Sequence, residues 1–428
     1  MKTILRSLAA SILALLARAI VKKYHPTIVM VTGSVGKTST KDALAAALGE
    51  KTYLRASEKS YNSEFGVPLT IIGVKNAWSS LFGWIRIMGE ACALILLPNH
   101  YPKLLVLEVG ADRPGDLEKI LRIATPDAVV VTRLPDVPVH VEAYATPQAV
   151  REEEFAPAYA LAPGAPLVVS ADDEYAMMLA KRTEARITSF GYAKHADVRI
   201  EHPTLIEKDG YPVGMQSGAS ICAEEGTITV QGALGRTQLL APAAALAAAI
   251  ALGHARTEAE KGLSHYLPPP GRSRILKGKK GSVLIDDSYN ASPAAVEEAL
   301  GALALLKTAK RRIAVLGDML ELGRYSVGEH ERIGALAATV ADIVVAVGHR
   351  AIAVGEAAQA HGLPESDVHA YPTAIEAARA LEEEVQEGDV ILIKGSQSIR
   401  MERIVEQLLA DPADMKYLVR QEKEWKKR

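Results

Sequence analysis

Three features of this sequence predict an α/β fold. Short runs rich in valine, isoleucine and leucine recur between helix-like stretches, as buried parallel strands do. A glycine-rich turn ending in a Lys-Thr pair follows the first of these runs. Polar clusters stand where the runs end, the edge at which open α/β sheets bind ligands. Together they predict a P-loop central domain of ATPase type with a mostly parallel sheet and an antiparallel insertion, followed by a Rossmann-like C-terminal domain.

In chain order, residues 1–25 come first, with an apolar run from Ser7 to Ala17 flanked by Lys2 and Arg6 and by Arg18, Lys22 and Lys23. The run mimics a signal peptide. That reading is rejected, because a phosphate loop begins within about ten residues of its end and the run is shorter than the ~20 residues that span a bilayer. An amphipathic helix packed on the body is expected, with a helix on the membrane surface as the alternative. Strands are expected at TIVMVTG (27–33), LLVLEVG (104–110), AVVVT (128–132), PLVVS (166–170), SVLIDD (282–287), RRIAVLGD (311–318), DIVVAVG (342–348) and DVILIKG (389–395). Helical patterns such as AAVEEALGALALLK between them give the βα alternation. The hydrophobic insertion 77–102 contains Arg86 and Glu90, which suits a surface helix pair better than a membrane span.

Between Ala193 and Leu234 the texture changes to short alternating pieces with Asp-Gly and Glu-Gly turns, the antiparallel insertion. HYLPPPGRSR (265–274) reads as a stiff linker and places a boundary near 270. The expected organisation is an N-terminal helix (1–26), a central domain (27–270) and a C-terminal domain (271–428).

A chain of 428 residues with 49% apolar content supports two or three cores. With 49 basic against 51 acidic residues there is no electrostatic case for a nucleic-acid partner. Cys92 and Cys222, far apart, suggest neither a disulfide framework nor a zinc site, and a reducing, cytoplasmic location is expected.

The chemistry begins at Gly33-Ser34-Val35-Gly36-Lys37-Thr38-Ser39. Only two residues separate the glycines where the full P-loop has four, but a strand leads in and a helix leads out, so backbone N–H groups converge on a phosphate. Lys37 is expected at the β- and γ-phosphates and Thr38 on Mg²⁺. Glu108, at the end of a strand, is a candidate metal carboxylate.

GSVGKTSTK, YNSEFGVPLT, LEVGADRPGD, PVHVEAY, SADD, DDSYNASP, VLGDMLELG and KGSQSIRMERIVEQL occur in the order found in Mur ligases, which the chain resembles from residue 27 onward. The last three are most similar to the branch that adds D-alanyl-D-alanine to a UDP-N-acetylmuramoyl-tripeptide in peptidoglycan synthesis. The resemblance implies an ATP-dependent carboxylate-amine ligase working through an acyl phosphate, with ATP and two Mg²⁺ ions. Residue by residue it implies Lys37, Glu108, His140 and Arg272 in catalysis, and Thr38, Glu108, His140 and Glu154 at the metals. It also implies Asp287 and Asn290 near ribose and base, Arg272 at the phosphates on domain closure, and Asn62, Lys394 and Ser396 near the substrates.

Three departures from the family pattern stand out. Glu154 falls where the family carries a carbamoylated lysine; it too ends in a carboxylate but is shorter, so either the backbone sits closer or a water intervenes. Its bland reading is a solvated helix face of Glu152, Glu153 and Glu154. Thr237-Gln238 replaces the family's His-Asn pair at the nucleotide, and only about 26 residues precede the P-loop domain where the family has a UDP-binding domain. Residues 1–25 and 77–102 are candidates to fill that gap, by packing or a homodimer contact in preference to a peripheral membrane contact. Two other functions stay open: a ligase with a glutamate or lipid-linked acceptor, and an ATP-binding assembly protein without ligase activity.

Overall fold

The pleat of the first sheet sends alternate residues of each strand into two different cores. The structure is a computed structural model describing residues 2–49, 51–58, 61–77, 80–422 and 425, with side chains from residue 9 onward. Among these, six strands pair in parallel: β1 (Thr27–Thr32), β2 (Leu54–Ala56), β3 (Leu104–Glu108), β4 (Ala128–Val131), β5 (Pro166–Ser170) and β6 (Arg186–Gly191), in the order β2-β3-β1-β4-β5-β6. Val29, Val31, Val106 and Val130 face one core, with Leu44 and Leu48 of helix α2 (the second helix, Lys37–Gly49) and the alanine-rich helix Leu240–Ala251. Ile28, Met30, Leu105, Leu107 and Val129 face the other. Both faces being covered explains why these strands read as unbroken apolar runs.

The second core is closed by α1 (Lys2–Tyr24) through Leu13, Ala17 and Ile20, by α3 (Gly66–Ile72), and by α4 (Leu81–Leu96) through Ile87 and Ala91. So residues 77–102 hold one described helix, not the expected pair: nothing inside 81–96 breaks the helix, and Pro98 and Pro102 lie beyond its end. Lys23 of α1 donates to the carbonyls of Leu94 (2.8 Å), Ile95 (3.0 Å) and Leu97 (2.6 Å), capping the C-terminus of α4 with a cation where the helix dipole is negative.

The antiparallel stretch continues the same sheet. β7 (Val198–Lys208) runs parallel to β6, and β8 (Tyr211–Ile221) and β9 (Glu224–Gln231) follow in antiparallel pairing. A second sheet holds β10 (Arg274–Lys277), β11 (Val283–Asp287), β12 (Arg311–Gly317), β13 (Ile343–Val347), β14 (Val368–Tyr371) and β15 (Asp389–Lys394) in the order β10-β11-β15-β12-β13-β14; all pairs are parallel except β10 with β11. β2, β6, β10 and β14, outside the expected strands, are short or flanking and lack an unbroken buried apolar run.

Helix Arg256–Leu263 lies so close to α2 that a Cβ on Gly262 would stand 2.2 Å from the carbonyl oxygen of Ala46. Gly262→Ala should therefore overpack this contact and cost about 1–3 kcal/mol. Gly301→Ala, at a helical position with nothing within 4 Å, should leave stability unchanged or raise it by about 0.5–1 kcal/mol. Equal melting temperatures for the two variants would contradict the close approach.

Candidate active site

The turn that leaves β1 opens on a glycine because no larger residue fits there. Gly33 (φ +115°) and Gly36 (φ +90°) both take positive φ, and a Cβ on Gly33 would stand 2.3 Å from Thr132 Oγ1 at the end of β4. The turn points the first amides of α2 and the side chain of Lys37 inward; Lys37 Nζ donates to the Gly33 carbonyl and lies 3.9 Å from Glu154 Oε1.

Two buried carboxylates stand against this loop. The parallel register that sets Val31 of β1 beside Glu108 of β3 brings the Glu108 carboxylate to the head of α2, where Thr38 Oγ1 donates to Oε1 at 3.1 Å. Glu108 Oε2 is buried without a hydrogen-bond partner. Behind it Ser57 Oγ accepts from the Glu108 amide (3.1 Å), and the Ser57 carbonyl accepts from the buried Lys41 Nζ (2.6 Å). Burial raises the Glu108 pKa, opposed by Lys41, Lys37 and Arg272.

The second carboxylate comes from α6 (Pro147–Tyr159), sixth in order after α5 (Asp116–Leu121). Thr146 caps α6, its Oγ1 accepting from Ala149 N at 3.2 Å, with Pro147 opening the first turn. Glu154 is 4% exposed, so it does not belong to a solvated face. Its Oε2 accepts from Ser34 Oγ, and Thr32 Oγ1 donates to its backbone carbonyl at 2.6 Å, which draws the helix close to β1. Burial raises its pKa as well, opposed by Lys37.

His140, at φ +65°, sits at the rim with Nδ1 2.8 Å from Glu321 and Nε2 3.4 Å from Asp112. Burial disfavours the charged ring, but Glu321 outweighs it and holds the pKa above the ordinary histidine value. Glu321 lies just beyond β12, so this contact joins the two halves of the molecule. Arg272 makes another such contact: its guanidinium lies 4.1 Å over the Tyr289 ring and donates to Thr38 Oγ1 at 3.4 Å.

Two clefts meet at this loop. The first, about 440 Å³, is lined by Val35, Gly36, Ser39, Phe190, Gln238, Leu240, Arg272 and Asp287. Asp287 accepts from Ser273 N (3.1 Å) and pairs with the buried Lys394 at 2.8 Å. Lys394, expected among the substrate residues, instead lines this first cleft, its ammonium also donating to the Asn290 carbonyl at 3.0 Å. The second cleft, about 740 Å³, holds Ser34, Lys37, Thr38, Asn62, Glu108, His140, Glu154 and Ser396, and also Asn290, which was expected beside Asp287 at ribose and base but points from the loop after β11 to this side. Val35, Gly36 and Arg272 line both.

Lys41, Glu321 and the Arg133–Glu298 pair, 2.5 Å apart across the first cleft, are not among the residues that the sequence singles out. Lys41 was legible as the second lysine of GKTSTK; the other two owe their roles to distant pairing. Gln238, where the family pattern breaks, lines the first cleft with its Oε1 buried and without a hydrogen-bond partner.

The metal positions can be tested on these donors. Among the described residues no three histidine, cysteine or acidic side chains form a ready cage. Mg²⁺ does not require one, since it is held by one or two carboxylates with water and phosphate oxygens. The orphaned Glu108 oxygen beside the Thr38 hydroxyl fits that pattern.

The sequence matches the Mur ligase middle domain over residues 90–249 and the Mur ligase glutamate ligase domain over residues 271–397, together about two thirds of the chain. It is 26% identical to UDP-N-acetylmuramoyl-tripeptide–D-alanyl-D-alanine ligase of Bacillus subtilis (strain 168) over 93% of this chain and 79% of that protein. The Mycobacterium bovis protein of the same name is 28% identical over 90% and 73%. Among solved structures, the MurF ligase of Thermotoga maritima in complex with ADP superposes with a TM-score of 0.75 at 27% identity, covering 93% of this chain and 83% of that one.

Asp286, next to Asp287, carries a pH signature. Its Oδ1 accepts from the amide (3.1 Å) and hydroxyl (2.5 Å) of Ser288, its Oδ2 has no partner, and burial pushes its pKa up to about 6. The native state thus holds this proton at pH values where an unfolded aspartate, near 3.9, has lost it. Stability should fall as pH rises from about 4 to about 6, by up to about 3 kcal/mol. Asp286→Asn should flatten that slope in urea midpoints; the same slope in both proteins would contradict the assignment.

Proposed function

The chain belongs to the Mur ligase family, and we propose that it joins the terminal carboxylate of a UDP-N-acetylmuramoyl-tripeptide to the amine of D-alanyl-D-alanine at the expense of ATP. One observation carries the reading: the phosphate loop and Arg272 form the wall shared by both clefts. A nucleotide seated in the first cleft delivers its phosphate end into the second.

In the first cleft Phe190, Leu240 and Ala241 offer an apolar slot for a base, and Asp287 faces the sugar. Gln238 supplies the acceptor and donor that the N6 and N7 edge of adenine matches, the role left open by the missing His-Asn pair. Lys37 and the head of α2 neutralise the β- and γ-phosphates. Thr38 and Glu108 would hold one Mg²⁺ and Glu154 and His140 a second, and when bound these cations would supply the charge that screens the phosphates from the incoming carboxylate. His140 has the carboxylate partner, Glu321, that orients a ligating imidazole.

The chemistry runs in two steps. A carboxylate oxygen of the tripeptide attacks the γ-phosphorus, the bond to the β-phosphate oxygen breaks, and ADP leaves behind an acyl phosphate. The amine nitrogen of D-alanyl-D-alanine then attacks the acyl carbon; the tetrahedral intermediate expels phosphate and the nitrogen loses a proton. Asn62, Asn290 and Ser396 line the cleft where both substrates meet. Arg272, spanning the clefts, holds the phosphates while the cleft excludes water, which would otherwise consume the acyl phosphate.

Phosphate release with a panel of amine acceptors tests the proposal: D-alanyl-D-alanine should stimulate it and glutamate should not. The reverse preference would reassign the acceptor. Lys37→Ala should lower turnover at least about a hundredfold by removing transition-state charge stabilisation, and near-normal turnover would remove Lys37 from the mechanism. Gln238→Ala should raise KM for ATP roughly tenfold with kcat little changed; an unchanged KM would show that Gln238 does not read the base. With Glu154 already a carboxylate, turnover should be indifferent to bicarbonate, and stimulation of a CO₂-stripped enzyme by bicarbonate would point to a lysine instead.

A further inference from the structure

Among the described residues, large apolar side chains are exposed most densely on α1 and α4. Ile12 and Leu15 (66% exposed) stand out from α1, and Leu81 (72%), Phe82 (83%), Ile85, Leu96 (79%) and the following Leu97 from α4. The inner faces of both helices are spent on the core, through Leu13, Ala17 and Ile20 and through Ile87 and Ala91, and these outward residues take no part in it. The two helices lie with their C-termini together, tied by Lys23 to the last carbonyls of α4.

Charge on this surface is one-sided. No acidic residue occurs before Asp42, while Lys2, Arg6, Arg18, Lys22 and Lys23 do, in a chain whose net charge is −2; the side chains of Lys2 and Arg6 lie outside the described residues. On α4 the single acid, Glu90, is paired with Arg86 at 2.6 Å. Spacing of three and four residues puts Ser11, Leu15, Arg18 and Lys22 on one exposed stripe of α1. The stripe thus runs from apolar to basic, and its basic end opens into a cleft of about 530 Å³ lined by Arg18, Lys22, His25 and Arg122. The one acid in that lining, Asp127, accepts from the Ile28 amide at 2.8 Å.

We infer that the outer faces of α1 and α4 dock this protein on the surface of an anionic lipid bilayer. Apolar side chains enter the interface while neighbouring cations meet the headgroups, as in helices that lie in a membrane plane. Among the described residues no helix is long and apolar enough to cross the membrane, so the contact is peripheral. A second copy fits this face less well, because isologous pairing presents the same surface twice and sets basic stripe against basic stripe, the nearby acids Glu90, Glu118 and Asp127 being already bonded to Arg86, Arg122 and the Ile28 amide. The packing of α1 on the body expected from the sequence is present through its inner face; the proposal concerns the outer face, where the sequence favoured a homodimer over a lipid contact.

The test is flotation of the full-length protein with phosphatidylcholine vesicles prepared with and without phosphatidylglycerol. Binding should require phosphatidylglycerol and weaken as salt rises. Phe82→Asp with Ile85→Asp, and separately Arg18→Glu with Lys22→Glu, should each reduce binding at least about tenfold while ligase turnover without vesicles stays unchanged. Absence of flotation, or binding that both double variants leave intact, would overturn the inference. A wild-type dimer that Phe82→Asp with Ile85→Asp converts to monomer, with no vesicle binding in either, would assign the face to a second copy.

Discussion

A carboxylate taken out of water costs several kcal/mol unless cations or donors answer it, and the phosphate loop is built around two of them. Glu108 is answered by the Thr38 hydroxyl and by the charges of Lys41, Lys37 and Arg272. Glu154 is answered by Ser34 and Lys37. The pairing of β1 with β3 and the tether from Thr32 to α6 follow from this constraint, because a slip in either would strand a buried charge. A polyphosphate brought to Lys37 tips the balance negative. Under the proposed chemistry the divalent cations restore it, and the partnerless oxygen of Glu108 is the position on which the first depends.

The second constraint is that neither cleft belongs to one sheet. Arg133 reaches Glu298, His140 reaches Glu321, and Arg272 reaches from the linker to Thr38. Each contact has one partner beside the first sheet and the other beside the second or in the linker between them. Three consecutive prolines, Pro268–Pro270, stiffen that linker, and Gly271 (φ +68°) turns the chain where a Cβ would stand 3.0 Å from the Tyr289 amide. The turn therefore aims Arg272 at the phosphate loop as a consequence of backbone geometry.

Much of this was legible in the sequence for a physical reason. Parallel strands buried on both faces must be apolar throughout, and β1, β3, β4, β5, β11, β12, β13 and β15 announce themselves that way. A strand followed by glycines, lysine and threonine left little else for residues 33–38 to do. β2 and β14 stayed hidden because none of their residues is fully buried, so no apolar run was required. Glu154 read either as a metal carboxylate or as part of a solvated face with Glu152 and Glu153, and the phase of α6 removes the solvated face: buried Glu154 turns to Ser34, whereas Glu153 accepts from the amides of Gly115 and Leu117 at 3.1 Å each. The cleft that Lys394 lines was not legible, because a strand end says which edge a residue reaches but not which of two adjoining clefts. Pairs such as His140 with Glu321 depend on how the two sheets sit together, which no local pattern encodes.

In the proposed reaction phosphate energy passes through an acyl phosphate on the carboxylate substrate. Oxygen tracing tests this most directly. A UDP-N-acetylmuramoyl-tripeptide labelled with ¹⁸O in its terminal carboxylate, incubated with the protein, ATP, Mg²⁺ and D-alanyl-D-alanine, should transfer one labelled oxygen to the released phosphate for every amide bond formed. Phosphate carrying only unlabelled oxygen, with no amide product, would mean that the protein hydrolyses ATP without activating the carboxylate, and the ligase reading would fail.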